Sequence, residues 1–173
     1  MMDQVKHDFV AMRAELLPAP NELIRFPFDS TRKRMTTLVE YKGKIPTETG
    51  YFRRMHTKGA AEKILETCSH YIDSNGDRQP IDDVTNKRLL DEIDKLAVEA
   101  LRAIAFAYKD LNEGENGKEH KDIEQGQKVY VVEKAGNTLI CIAGIKDIIR
   151  PEVPEAVKKC KTAGVRVRMV TGD

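Results

Sequence analysis

Apolar residues recur at helical spacing in four segments of the chain. The predicted helices cover residues 5–16, 60–68, 82–100 and 151–163. Asp82 or Asp83 is a suitable N-cap for the third helix, and Gly164 follows the fourth as a C-terminal stop. Helices are therefore expected to alternate with other elements along the chain.

Runs rich in β-branched and aromatic residues lie between these helices and predict strands. The predicted strands cover residues 23–28, 35–41, 49–58, 101–108, 128–134, 138–145 and 165–170. Pro27 cannot donate a backbone hydrogen bond, so the first strand is expected at a sheet edge or a bulge. The turn at residues 135–137 predicts a hairpin between the two strands that flank it. Residues 112–127 are polar and lack an apolar period, which predicts a surface loop or a mobile segment.

This order of elements predicts two units. Residues 1–144 are expected to form an α+β domain, in which helices flank a largely antiparallel sheet. Over residues 145–173 the order strand, helix, strand suggests a right-handed βαβ unit that is cut short at the end of the chain.

The composition excludes several classes of function. The chain has 173 residues and a net charge of +1, so it has no general attraction for nucleic acid or anionic lipid. No stretch approaches the roughly 20 apolar residues that span a bilayer, which predicts a soluble chain. The three cysteines and four histidines lack metal-ligand spacing, and no metal site is predicted.

A first cluster of candidate binding residues follows the first strand. Phe28 precedes Lys33 by five residues, and Met35 begins the next strand. A purine needs a flat apolar surface, and a triphosphate needs cations a few ångströms away, so this combination suits ATP. Taken alone, the same residues also fit an exposed turn with a basic face and a core phenylalanine.

A second cluster lies where a predicted strand gives way to a helix. Gly59 would let the backbone and a ligand approach closely, and the helix N-terminus favours an anion. Lys58 would then lie at the mouth of that site. Gly59 as an ordinary turn glycine and Lys58 as a surface charge fit the local sequence equally well.

Five motifs in this order resemble the nucleotide-binding domains of P-type cation-transporting ATPases. They are Phe28-x-x-x-x-Lys33-x-Met35, Lys58-Gly59-Ala60-Ala61-Glu62, Leu101-Arg102-Ala103-Ile104-Ala105, Asp147-Ile148-Ile149-Arg150-Pro151-Glu152-Val153 and Met169-Val170-Thr171-Gly172-Asp173. The run Arg150 to Val153 is most similar to that of plasma-membrane-type calcium pumps. Ile148 departs from the family pattern, which usually has proline there.

The resemblance implies a role for each candidate residue. Phe28 would stack on adenine, and Lys58 would line the deep part of the adenine pocket. Lys33 and Arg102 would approach the phosphates. The walls would be completed by Met35, Gly59 and Ala60.

The resemblance also implies that residues 145–173 are a hinge and part of the phosphorylation domain. Asp147 and Arg150 would belong to the hinge. Thr171, Gly172 and Asp173 would face the terminal phosphate of ATP in the full-length protein. The family's phosphorylated aspartate, in Asp-Lys-Thr-Gly-Thr, does not occur in this sequence. The implied chain therefore binds ATP but has no catalytic residue of its own.

The implied full-length protein is an ATPase that couples ATP hydrolysis to cation transport, with calcium the favoured ion. It would use Mg²⁺, and this domain would face the cytoplasm and work with phosphorylation, actuator and transmembrane domains. Two other interpretations stay open: a fragment of a haloacid dehalogenase-class phosphatase or phosphotransferase, and a non-catalytic protein-interaction domain.

Overall fold

A seven-stranded sheet forms the centre of the molecule, and two helices pack on one of its faces. The computed structural model describes residues 24–40, 53–112, 115, 120–124 and 127–170. The strands are β1 Ile24–Asp29, β2 Arg34–Glu40, β3 Arg53–Ala60, β4 Cys68–Ile72, β5 Arg78–Pro80, β6 Leu101–Asp110, β7 His120–Glu124, β8 Gln127–Tyr130 and β9 Asn137–Lys146. The helices are α1 Ala61–Leu65, α2 Asp83–Val98 and α3 Val153–Thr162.

The strand order in the sheet is β1-β2-β3-β6-β9-β4-β5. Neighbouring strands run antiparallel, except that β4 runs parallel to β9. The predicted α+β fold with a largely antiparallel sheet is therefore confirmed. Strands β4 and β5 were not predicted; they are short and flank the turn at Gly76, whose φ is +89°.

The first strand lies where Pro27 predicts it. β1 is an edge strand, and its pairing with β2 is irregular between Phe26 and Asp29. Since Pro27 lies inside this irregularity, its missing N–H costs the sheet no ladder hydrogen bond.

α2 begins directly after one of its two predicted capping residues. Asp82 is the N-cap of α2, and its carboxylate accepts a hydrogen bond of 2.8 Å from the backbone N–H of Thr85. α1 is shorter than predicted because Cys68 already begins β4. The predicted helix over residues 5–16 lies outside the described residues.

The predicted hairpin between residues 128–134 and 138–145 is wrong. β8 pairs with β7, whereas β9 lies between β6 and β4 and is hydrogen-bonded on both sides. A short 3-10 helix over Val131–Glu133 separates β8 from β9. Since β7 falls within residues 112–127, that segment is not wholly a loop. It contains one strand of a two-stranded ribbon, which its polar sequence did not indicate.

The C-terminal region matches its prediction only in part. α3 is confirmed, and Gly164 adopts φ +72° directly after the C-cap residue Ala163, as a C-terminal glycine does. Residues 165–170 form no strand. A strand needs a hydrogen-bonded neighbour, and no described segment pairs with this one, so the predicted βαβ unit is not completed in the described residues.

Two buried clusters lie on the face of the sheet that α1 and α2 cover. One joins Ile64 of α1 and Ile93 of α2 to Ala105, Ala107 and Leu139 of the central strands. The other is formed around the β1–β2 hairpin by Phe26, Leu38, Met55, Leu111 and Val132. Among the described residues, α1 and α2 pack on this one face and leave the opposite face of β2, β3 and β6 uncovered by either of them.

Candidate functional site

The open face of the sheet carries a line of side chains across three strands. Lys58 of β3 lies directly opposite Met35 of β2 on one side and Phe106 of β6 on the other. Side chains of directly opposed residues share a face. Their strand neighbours Thr36, Thr57 and Ala107 are buried, and Ala107 packs in the cluster that contains Ile64 and Ile93 of the helices. Since successive side chains of a strand alternate between faces, this line faces away from that core.

These residues border a cleft of about 240 Å³. Its lining comprises Met35, Thr37, His56, Thr57, Lys58, Phe106, Ala107 and Ile140. Sites for whole small-molecule ligands usually measure about 300–1,000 Å³. The cleft is therefore matched to one ring system of a ligand, and a longer ligand would extend out of it.

The cleft combines an apolar wall with a cation. Phe106 and Ile140 are partly exposed, at 37% and 45%, so they present apolar surface to solvent. The Lys58 side chain is exposed between Met35 and Phe106. Sequence reasoning selected Met35 and Lys58, and the structure brings these two together.

His56, Thr37 and Phe106 carried no predicted role. His56 lies two residues before Lys58, and the period of two along a strand is the signal that places both on one face. Phe106 could be found only through its register with Lys58, which depends on how two distant strands pair. The pKa of His56 is lowered by burial and by the charge of Arg54, against an opposing effect of Asp110. Near neutral pH this imidazole is therefore held uncharged.

Phe28, near the end of β1, and Lys33, in the β1–β2 turn of residues 30–33, do not line the cleft. Phe28 is 63% exposed. Lys33 has a φ of +50°, which is uncommon for a residue with a side chain. Its N–H donates to the Asp29 carbonyl at 2.7 Å, and its carbonyl accepts from the Ala60 N–H at 3.0 Å. Backbone bonds therefore tie this turn to the end of β3.

Gly59 has a specific steric reason to be glycine. A Cβ atom there would lie 2.3 Å from the carbonyl oxygen of Lys33. The close approach that the structure has at Gly59 is one of the chain to its own backbone, and the approach of a ligand there stays a prediction. The strand-to-helix junction at Gly59 and Ala60 is confirmed, although α1, with five residues, is too short to supply an anion site at its N-terminus.

Arg102 lies apart from the cleft lining and is paired. Its Nε donates to the Asp147 Oδ2 at 2.8 Å, and both side chains are more than 70% exposed. Arg150 is exposed just before α3, where its carbonyl accepts a hydrogen bond from the Val153 N–H at 3.0 Å. The ion pair thus connects β6 to the segment that leads into α3.

The remaining predicted residues, Thr171, Gly172 and Asp173, lie outside the described residues. Within the described part of the chain, no three His, Cys, Asp or Glu side chains are grouped as a metal site. No helix of that part is long and apolar enough to cross a membrane.

Comparison with known proteins gives one consistent family. Residues 10–152 match the model for "P-type ATPase, cytoplasmic domain N". The chain is 41% identical over 147 residues to Calcium-transporting ATPase 3, plasma membrane-type, of Oryza sativa subsp. japonica, covering 85% of this chain and 12% of that protein.

Two further relatives carry similar names. Plasma membrane calcium-transporting ATPase 4 of Bos taurus is 37% identical over 175 residues, which cover 99% of this chain and 13% of the relative. Calcium-transporting ATPase 4, plasma membrane-type, of Arabidopsis thaliana is 37% identical over 147 residues, with 85% and 12% covered. The chain therefore spans only 12–13% of the length of these relatives.

Proposed function

This chain belongs to the P-type ATPases, as their cytoplasmic domain N, and from that premise we propose that it binds ATP at the cleft of Met35, Lys58 and Phe106. The observation that carries the proposal is the register of these three residues across β2, β3 and β6. It puts a cation between two apolar side chains on the open face of the sheet.

The shape of the cleft favours the base of the nucleotide as its occupant. A purine is flat and largely apolar on its faces, and Phe106 and Ile140 offer partly exposed apolar surface. The polar edge of the base needs hydrogen-bonding partners, which Thr37 and an uncharged His56 can supply. The volume of about 240 Å³ leaves the triphosphate outside the cleft.

The β1–β2 turn is the proposed site for the phosphates and the outer side of the base. Lys33 is exposed on that turn, and its ammonium can bind phosphate oxygens by charge-assisted hydrogen bonds. The neighbouring Arg32 and Arg34 side chains are 9% and 12% exposed and face Glu133, so they are not proposed as phosphate ligands. Phe28 is exposed at the start of the turn and can close over the base from outside. Gly59 and Ala60 complete the wall through their backbone.

Arg102 is proposed as a second phosphate contact, and Asp147 with Arg150 as the hinge to the next domain. The exposed Arg102–Asp147 ion pair supports a coupling of the phosphate contact to the hinge, because phosphates would compete with Asp147 for the same guanidinium. Residues 1–144 would then be the nucleotide-binding domain and residues 145–173 part of the phosphorylation domain. Thr171, Gly172 and Asp173 keep their proposed role facing the terminal phosphate in the full-length protein.

For the full-length protein we propose ATP-driven calcium transport, because the relatives are named for it. This domain would lie on the cytoplasmic side and act with phosphorylation, actuator and transmembrane domains. No cleft residue is assigned a catalytic role. Mg²⁺ would belong to the full-length enzyme; since the described residues hold no cluster of metal ligands, no contact of this chain with it is proposed.

Calorimetric titration with ATP and GTP tests the proposal. We expect ATP to bind with a Kd in the high micromolar to millimolar range, about −4 to −6 kcal/mol, and to bind more tightly than GTP. Lys58→Ala and Phe28→Ala should each weaken ATP binding, while Lys95→Ala, which removes an exposed lysine paired with Glu92 on α2, should not. Equal affinities in all four proteins would refute the site. Turnover of a generic phosphoester would instead indicate a haloacid dehalogenase-class phosphatase.

A further inference from the structure

Glu133 is a buried carboxylate that no part of the proposed cleft uses. It ends the 3-10 helix after β8, and its side chain is 0% exposed. Burying a carboxylate costs several kcal/mol unless cations and hydrogen-bond donors surround it. The identity of its partners therefore indicates what it stabilises.

Its partners come from the β1–β2 hairpin. Arg32 Nη1 donates to Glu133 Oε2, and the Thr36 hydroxyl donates to Glu133 Oε1, both at 2.5 Å. Arg34 Nε lies 3.9 Å from the same Oε2. Arg32 also donates to the Pro27 carbonyl at 2.7 Å, so one guanidinium connects Glu133 to the start of the turn.

The segment around Glu133 covers the back of this hairpin. The ring centroids of Tyr130 and Phe26 are 4.1 Å apart, and the Arg32 guanidinium lies 5.5 Å from the Tyr130 centroid. Val132 is buried in the cluster that includes Phe26. Residues 130–133 are thus fixed against β1 and the turn by packing as well as by charge.

Glu133 lies on the side of the sheet opposite the cleft. Thr36, which it binds, is fully buried, whereas Met35 and Thr37 on either side of Thr36 line the cleft. Successive side chains of a strand point to opposite faces. Glu133 therefore does not face the cleft. It is connected to the binding residues through Arg32 of the hairpin and through Thr36, whose hydroxyl is 3.0 Å from that of the cleft-lining Thr57.

The β1–β2 turn has two unfavourable features that a stabilising contact of this kind offsets. Residues 32–34 are three consecutive cations, which repel one another. Lys33 also holds a positive φ of +50°. The Glu133 carboxylate offsets part of the repulsion and fixes the residue immediately before Lys33.

We propose that Glu133 is a positioning residue for nucleotide binding: through Arg32 it holds the β1–β2 turn so that Lys33 and Phe28 face the nucleotide. This inference rests on the proposed ATP site and adds a residue distant in sequence and on the other face of the sheet. Glu133 orients Lys33 toward phosphate. Loss of the Glu133 charge should therefore weaken the binding of a ligand more strongly when that ligand carries more phosphate charge.

The test compares ATP and AMP binding in the wild-type chain and in Glu133→Gln. The glutamine has nearly the same shape and can still accept from Thr36, but it loses its charge for Arg32. We expect roughly tenfold weaker ATP binding, the order expected for weakening one charge-assisted contact, and a smaller ratio of ATP to AMP affinity. Without ligand, amide shifts should change mainly over residues 29–34. Glu92→Gln, a matched change on exposed α2, should alter none of these.

A second pair of variants separates positioning from simple loss of stability. Arg32→Gln should reproduce the Glu133→Gln effect, and the double variant Arg32→Gln/Glu133→Gln should recover part of the ATP preference, because removing both charges is far less costly than leaving one buried alone. A general loss of folded protein would scale ATP and AMP binding together and leave their ratio unchanged.

The outcomes are distinct. If wild type binds ATP but Glu133→Gln keeps the same ATP-to-AMP ratio and the same turn shifts, the positioning role is overturned and the ATP site stands. If wild type binds no ATP, the proposed function itself fails and this inference falls with it. The role of Glu133 is supported if Glu133→Gln has a smaller ratio of ATP to AMP affinity than wild type and the double variant recovers part of that ratio.

Discussion

A Cβ atom on Gly59 would lie 2.3 Å from the carbonyl oxygen of Lys33 and 2.8 Å from the Cα of Arg34. Both are backbone atoms and cannot rotate aside. Gly59→Ala must therefore push the β1–β2 turn away from β3. We expect a loss of about 1–3 kcal/mol in the free energy of unfolding, measured by urea denaturation, together with weaker ATP binding.

Gly76→Ala is the control for this substitution. Gly76 also has a positive φ, but an added Cβ meets nothing within 4 Å. It should cost about 1–2 kcal/mol through backbone strain alone and leave ATP affinity unchanged. If Gly59→Ala also bound ATP like wild type, the contact between the turn and β3 would not matter for the site.

His56 makes stability depend on pH. Its pKa lies below the ordinary 6.5 in the folded chain, chiefly because of burial and then of Arg54. The unfolded chain therefore takes up a proton first as the pH falls through 6.5, and the folded state loses stability toward lower pH. Urea unfolding at about pH 7.5 and about pH 5.5 should show a larger loss for wild type than for His56→Gln.

The carboxyl groups whose pKa values are lowered by the fold titrate below this pH range. Among the described residues, these carboxyl groups are those of Asp73, Asp82 and Glu115. Their contributions to the free energy of unfolding are lost only when the pH falls below their ordinary pKa values of 3.8 to 4.5. Identical pH dependence of the two proteins would show that His56 is not held neutral by the fold.

The Arg102–Asp147 pair predicts opposite effects for its two members. Arg102→Ala should weaken ATP binding, because a phosphate contact is lost. Asp147→Asn should strengthen it by roughly twofold to fivefold, the range for an exposed ion pair of up to about 1 kcal/mol. Titrations at low and high salt should show the gain shrinking as salt screens the pair. Weaker binding by Asp147→Asn would place Asp147 among the binding groups instead.

The cap of α2 gives a prediction that is independent of the ligand. Asp82→Ala removes the carboxylate that accepts from the Thr85 N–H, and should reduce the free energy of unfolding by about 1 kcal/mol. Asp83→Ala, one residue into the helix, is the matched control and should cost less. Equal losses would mean that the cap bond contributes nothing of its own.

Local rules predicted the parts of this fold that depend on neighbouring residues. Pro27 predicted an edge strand or a bulge, Asp82 or Asp83 a helix cap, and Gly164 a helix end, since each acts within one turn or one strand pair. The hairpin around Gly136 was predicted by the same local logic and is wrong. There the pairing of β9 with β6 and β4 outweighed the turn.

The residues of the candidate site also differ in whether a local sequence pattern predicts them. Lys58 and Met35 lie in recognisable motifs, and they are directly opposite each other in the register of β2 and β3. Phe106 joins them only because β3 pairs with β6, which no local pattern encodes. Glu133 is indistinguishable from a surface charge in the sequence. Glu133 is buried because its own segment packs behind the β1–β2 hairpin, which lies about 100 residues earlier in the sequence.

Amide chemical shifts of the isotopically labelled chain, followed during titration with ATP, test whether the cleft is the ATP site. We expect saturable shifts in Met35, Thr37, His56, Lys58 and Phe106 and in the turn that carries Lys33, and their loss in Lys58→Ala. Shifts confined to α2 or to the helix-covered face, or shifts that persist unchanged in Lys58→Ala, would contradict this assignment.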